Sequence, residues 1–331
     1  MKRNSKIFAV LLALVLVLTA CGGNKDKEAG DVVLKRGYHE AGDTRAFYRV
    51  GLVMDKDIIA DVVFDAFTYG DVNSGLTFVP MAIPEGAEVH LYSKLVNDEA
   101  YSKTMKEKAK ATKNYGESLQ AILDYVKGKT VKDIEDLLAK SEAGKPIDAI
   151  SSSTLSSGYS YLRAIADVAK DPMETKAVEV ESGKPVSLTA AIYGAHGEKS
   201  FADTLTVVSE GKIVAASIDE FQYMGKDAKA VPNAAQEDFN KGFPQDMVLA
   251  SKKQNSDSYS KKMAEKGKST VSYAENLKAI ETFVVGKSVE ELTTFVQGKE
   301  KGKPVDEVSG ATLVDTVGYL ESIIEAGKLA K

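Results

Sequence analysis

Residues that usually announce chemistry are scarce in this chain. Of 331 residues, one is cysteine, three are histidine and none is tryptophan. A single thiol, Cys21, excludes a disulfide framework and a thiolate metal site. His39, His90 and His196 stand too far apart for a metal motif and read as loop or surface residues. A formal net charge of −5 provides no basic face and argues against nucleic acid as a partner. Long apolar runs are also missing. The run from Ile7 to Leu18 covers 12 residues, short of the roughly 20 that a spanning helix needs. The remainder is ordinary: 44% hydrophobic and 27% charged residues, a globular composition with length enough for two domains.

The short apolar run has a use as a targeting segment. Lys2, Arg3 and Lys6 precede it as a basic region, and small residues Thr19 and Ala20 lead into Cys21. The stretch LTAC, Leu18 to Cys21, resembles a bacterial lipobox. That resemblance implies cleavage after residue 20 and a diacylglyceryl thioether on Cys21, with further acylation at the new amino terminus. Two or more acyl chains anchor a protein stably, where one binds only marginally. Gly22 to Asp31, GGNKDKEAGD, reads as a flexible tether. Ten such residues span roughly 17 Å root-mean-square. The division expected is a signal peptide at 1–20, the lipidated cysteine and tether at 21–35, and two domains at 36–171 and 172–331.

The two domains follow from an internal repeat. GKPIDAISSSTLSSGYSYLRAIADVAK, Gly144 to Lys170, aligns with GKPVDEVSGATLVDTVGYLESIIEAGK, Gly302 to Lys328, at an offset of 158 with eleven identities in 27 positions. The same offset carries Tyr101, Ser102, Lys103 and Met105 onto Tyr259, Ser260, Lys261 and Met263. It also sets YVKGKTV, from Tyr125, on FVVGKSV, from Phe283. Nearer each start an offset of 155 sets Ile58, Ile59 and Ala60 on Ile213, Val214 and Ala215, and Gly70 on Gly225. A unit of this size is a duplicated domain rather than a solenoid repeat, with its junction near Asp171–Pro172.

Each unit reads as a hairpin followed by helices. Strand-like runs cover Phe47 to Met54 and Ile58 to Phe67, then Asp203 to Ser209 and Ile213 to Tyr223, with turns at Asp55 and Glu210. Helices are expected at Leu119 to Val126, Val131 to Lys140, Leu277 to Val284 and Val289 to Val296. A final helix in each unit starts at the hydroxyl-rich motif, with Leu155, Tyr159, Leu162 and Ala166, or Leu313, Val317, Leu320 and Ile324, on one face. An antiparallel sheet with helices packed on it is an α+β plan.

The motif before that helix carries the functional reading. DEVSGAT, Asp306 to Thr312, resembles the attachment motif of the FMN-binding domain family: Asp, two residues, Ser or Thr, Gly, Ala, Thr. Asp306, Ser309, Gly310, Ala311 and Thr312 match it at every fixed position. The resemblance implies FMN held through a phosphoester on Thr312, installed by an FMN transferase that uses FAD and magnesium. The first unit reads DAISSST, with Asp148, Ser151 and Thr154 kept and Ser152 and Ser153 in place of Gly and Ala. Small side chains are preserved, so Thr154 is expected to carry a second FMN. A phosphodiester is stabilised where a helix start offers unpaired N–H groups. Ser309 suits a cap, and Asp306 suits a place near the transferase's metal. FTYG, Phe67 to Gly70, resembles a flavin-proximal motif of the family, and QYMG, Gln222 to Gly225, does so without the Thr. Thr68, Gly70 and Gly225 are therefore candidate ring neighbours, and Tyr69 and Tyr223 candidate stacking residues.

The whole chain resembles Gram-positive lipoproteins with two such domains. That implies an electron carrier on the extracellular face of the cell membrane, lipid-anchored at Cys21, with two covalent FMN groups and no catalytic residue of its own. Electrons would come from a membrane quinone-linked dehydrogenase system and leave to extracellular acceptors such as ferric iron, or to partner reductases. The alternative is a non-flavin solute-binding or signalling lipoprotein. Its signal peptide contains ALVLVLTA, Ala13 to Ala20, a pheromone-like segment. Two lobes closing on one cleft are usual for a solute binder, and a tandem repeat argues against that.

Overall fold

The computed structural model of the protein describes residues 32–181 and 183–330. The signal segment, Cys21 and the tether from Gly22 to Asp31 lie outside the described residues. The fold is α+β, with two antiparallel sheets. The first is built from β1 (Val32–Glu40), β2 (Ala46–Asp55), β3 (Ile58–Asp71) and β4 (Val89–Ser93), with β5 (Glu174–Ala177) added beside β1. The second contains β6 (Ser187–Tyr193), β7 (Phe201–Ser209), β8 (Lys212–Gly225) and β9 (Met247–Ser251) in that order. Helices α1 (Asp98–Ala109), α2 (Tyr115–Val126), α3 (Val131–Leu138) and α4 (Gly158–Lys170) follow β4. After a four-residue helix α5 (Glu237–Asn240), helices α6 (Ser256–Gly267), α7 (Tyr273–Val284), α8 (Val289–Gln297) and α9 (Thr316–Gly327) follow in the same succession.

The two sheets pack face to face, each with helices on its far side. Alternation along the strands sets this up. In β2, Tyr48, Val50, Leu52 and Met54 join Ile122, Leu162 and Ile165 in a helix-side core. Phe47 and Val53 point the other way and join residues of the second sheet. A strand buried on both faces reads as a continuous apolar run rather than an alternating one, and AFYRVGLVM is such a run. Gly51 permits the close approach, because a Cβ there would lie 2.8 Å from Leu205 Cδ1. Between the sheets, Phe47 stacks on Phe67 and Phe201 on Phe221, each pair at 5.1 Å. Beside them lies a buried ion cluster: Asp203 receives Arg36 at 3.1 Å and Arg49 at 3.3 Å, and Tyr38 donates to Asp219 at 2.9 Å.

Several expectations need correction. The strand β1 begins at Val32, so residues 32–35 belong to the sheet and not to the tether. The boundary at 171/172 coincides with the end of α4, but β5 lies beyond it and pairs with β1. The sequence pattern gives no strand at β1, β4, β5, β6 or β9 and no helix at α5 or α6. Both final helices start four residues after the motif threonine, at Gly158 and Thr316, so Leu155 and Leu313 precede the helices. His90 is fully buried in β4, where its Nε2 meets Met81 O at 2.9 Å, and burial lowers its pKa.

The strand alignment also shifts by one residue. Phe67 pairs with Ser93, and Phe221 pairs with Ser251. Ile59 N donates to Lys129 O as Ile213 N donates to Lys287 O. Ile59 thus corresponds to Ile213, Thr68 to Gln222, Gly70 to Met224 and Asp71 to Gly225. The sequence offset of 155 sets Gly70 on Gly225 instead. A slip of one residue exchanges the two faces of a strand, so the match of two glycines concealed a misregister.

Candidate functional site

The second motif loop is shaped by two short turns. Val305 and Val308 are buried, Val308 N donates to Val305 O at 2.9 Å, and Ala311 N donates to Val308 O at 3.0 Å. Between the buried anchors the chain emerges, leaving Asp306, Glu307, Ser309 and Gly310 exposed. Gly310 has φ +88°, a left-handed conformation that favours glycine. A Cβ there would also lie 3.4 Å from Ala279 Cβ. Thr312 follows, exposed, with its backbone turned to α7.

What receives it is Asn276, a fully buried residue in the first turn of α7. The amide is fixed from one side: Nδ2 donates to Ser272 O at 2.8 Å and to Val271 O at 3.3 Å. Its Oδ1 accepts from Thr312 N at 2.5 Å and from Thr312 Oγ1 at 3.2 Å. The start of α7 is closed by a capping box, with Glu275 N donating to Ser272 Oγ and Ser272 N to Glu275 Oε2. This helix start therefore presents a carboxylate rather than free N–H groups.

Beside the loop lies a cavity of about 630 Å³, within the roughly 300–1,000 Å³ of cofactor sites. Val271, Ala279 and Phe283 form its apolar wall, Lys278 supplies a cation, and of the motif loop Ser309 and Gly310 line it, whereas Thr312 does not. Glu275 and Glu307 also line it, the latter paired with Lys299. The position first assigned to a phosphate, at the start of the following helix, is occupied differently. Asp315 stands at the N-cap position without a capping side-chain bond and meets His196 Nδ1 at 3.0 Å instead, and burial raises its pKa.

The first motif loop has a different conformation. Ser153 N donates to Ile150 O at 2.8 Å, the equivalent turn. Ser152, in place of glycine, does not enter the left-handed region. Ser153 is buried, and Thr154 is half-buried with its Oγ1 enclosed and without a hydrogen-bond partner. Where the second half has Asn276, the first has Ser118, fully buried, its hydroxyl also without a partner. Lys113 Nζ donates to Ser152 O at 2.8 Å and ties the loop to the segment before α2. Asp148 and Ser151 are exposed.

The remaining candidates are engaged elsewhere. Thr68 donates to Arg45 O at 2.7 Å. Gly70 pairs with His90 and packs against Leu76 and Tyr92. Gly225 ends β8 opposite Met247. None of the three lines the cavity beside Thr312. Tyr69 and Tyr223 share a 3.0 Å hydrogen bond and pack against Phe243 between the sheets. Burial pushes Tyr223 up to about 12.

Sequence reading missed a second buried cluster. Glu220 on β8 accepts from Lys252 at 2.5 Å, Ser200 at 2.7 Å and Tyr319 at 2.7 Å. Burial opposes its charge, yet Lys252 and these donors hold its pKa below the usual range. The equivalent position of the first half is Ala66: Lys94 N donates to Ala66 O as Lys252 N does to Glu220 O. The corrected register would have found it.

Among the described residues no helix is long and apolar enough to cross a membrane, and no three His, Cys, Asp or Glu side chains gather as a metal site. Comparison with protein-family models, curated proteins and solved structures finds no match.

Proposed function

We propose that this chain is a membrane-anchored extracellular flavoprotein that relays electrons. In this reading two tandem FMN-binding domains follow a lipoprotein signal, and FMN is held as a phosphoester on Thr312 and on Thr154. One observation carries the reading: an exposed threonine, its hydroxyl 3.2 Å from the amide oxygen of a fully buried asparagine, follows two residues after Gly310, which with Ser309 lines a cavity of about 630 Å³. Val271, Ala279 and Phe283 would face the flavin, Lys278 would meet the phosphate, and Gly310 leaves the rim open. Asp306, exposed in the same loop, is available to the transferase's magnesium. When bound, FMN supplies one- and two-electron transfer, and a covalent bond keeps it from diffusing away outside a cell. Cys21 would hold the carrier beside a quinone-linked membrane donor, and ferric iron or partner reductases would take the electrons.

The test is intact mass of protein made with and without the FMN transferase. Each modified threonine adds one FMN less one water. Thr312→Ala removes one such increment. Colourless protein of bare mass from a host that has the transferase overturns the proposal.

A further inference from the structure

The two threonines are presented differently, and the difference has a local cause. Thr312 is exposed, with backbone and hydroxyl both on Asn276 Oδ1. Thr154 has its hydroxyl enclosed with no partner, behind a loop that Lys113 ties down. The sequence changes behind this are Gly310 against Ser152 and Asn276 against Ser118. A left-handed residue turns the second loop outward, and a buried amide then holds the threonine at the surface.

From this we infer that Asn276 is a positioning residue for modification of Thr312, and that the folded protein accepts FMN at Thr312 directly but at Thr154 only after its loop opens. The inference rests on the flavin reading above. The transfer forms a bond from Thr312 Oγ1 to the flavin-side phosphorus of FAD. The pyrophosphate P–O bond breaks, AMP leaves with the electron pair, and the hydroxyl proton passes to a base of the transferase. Asn276 Oδ1 accepts the hydroxyl hydrogen bond and so fixes the position of Oγ1; in the transfer the proton leaves that bond for the transferase's base as Oγ1 bonds to phosphorus. Thr154 reaches the same position only when residues 151–155 open, a local unfolding of the loop.

Full-length protein made without transferase is treated, folded, with FAD, magnesium and transferase, and peptide masses are followed in time. Thr312 is expected to load at least about tenfold faster than Thr154, the factor that one hydrogen bond or a modest opening cost carries. Asn276→Ser, which copies the first half, should slow Thr312 by about tenfold while circular dichroism stays unchanged. Ser152→Gly should speed Thr154, a gain that loss of folding cannot produce. Equal rates at the two threonines, with Asn276→Ser and Ser152→Gly without effect, overturn this inference and leave the flavin reading standing. No added mass on either peptide overturns both.

Discussion

Replacing Glu220 by Gln tests the charge cluster on the helix side of the second sheet. Glu220 and Lys252 are both fully buried and 2.5 Å apart, and Ser200, Tyr319 and, at 3.4 Å, Tyr273 also donate to the carboxylate. The glutamine keeps the shape and removes the charge, so Lys252 is left as a buried cation without its acid. Breaking one partner of such a pair costs about 3–5 kcal/mol, whereas replacing both by apolar groups of similar volume is near neutral. E220Q should therefore lose about 3–5 kcal/mol, and E220Q with K252M, which removes the stranded cation, should recover part of that loss. Urea unfolding is the assay, because an ionic denaturant would screen charges. The pH dependence has a defined sign. Glu220 is held low in the folded protein, so its contribution is present above the unfolded carboxylate range and is lost as pH falls through the folded value. Lys252 is held high despite burial, by Glu220 first, so its contribution is present below the unfolded lysine value and is lost as pH rises through the folded one. A loss under about 1 kcal/mol for E220Q, or a double variant no better than the single, refutes the reasoning.

Asp203→Asn leaves Arg36 and Arg49 facing each other between the sheets and should cost about 3–5 kcal/mol, read from the shift of the urea midpoint. Gly51→Val places methyl groups where Leu205 lies and should cost about 1–3 kcal/mol by overpacking, seen as a lower thermal midpoint. Gly310→Val strains a backbone at φ +88° and should cost about 1–3 kcal/mol, with a slower mass gain at Thr312 under transferase. Tyr69→Phe removes one hydroxyl of the inter-sheet pair and should cost about 0.5–1.5 kcal/mol with no change in flavin mass, whereas a stacking role would alter the flavin spectrum.

Local pattern carried a good part of the fold. The hairpins β2–β3 and β7–β8 were legible because apolar runs flank turn residues, and Lys56 and Glu210 do take positive φ there. Helices α2, α3, α7 and α8 were legible from helical spacing, and Thr130, Ser272 and Ser288 cap three of them as box residues. The motif segments are loops that precede α4 and α9, with a geometry their sequence does not reveal. SGAT resembles a capped helix start, yet its turn ends at Gly310, residues 311–313 are irregular, a second turn covers Val314 and Asp315, and α9 begins at Thr316. Strands such as β4 and β9 lack a signal, because five residues with a histidine or a serine among them hold no clear period.

Amino-acid order alone determined the internal repeat at an offset of 158, the glycine that allows a left-handed turn at 310 and the difference between Gly310 and Ser152, since repeats and backbone permissions are local properties. Three-dimensional packing decided the rest. The one-residue shift of the strand register, the burial of Glu220 with Lys252, and the meeting of Asn276 with Thr312 across 36 positions of chain depend on which faces are removed from water together. No local stretch encodes that, because burial is set by what arrives from elsewhere in the chain.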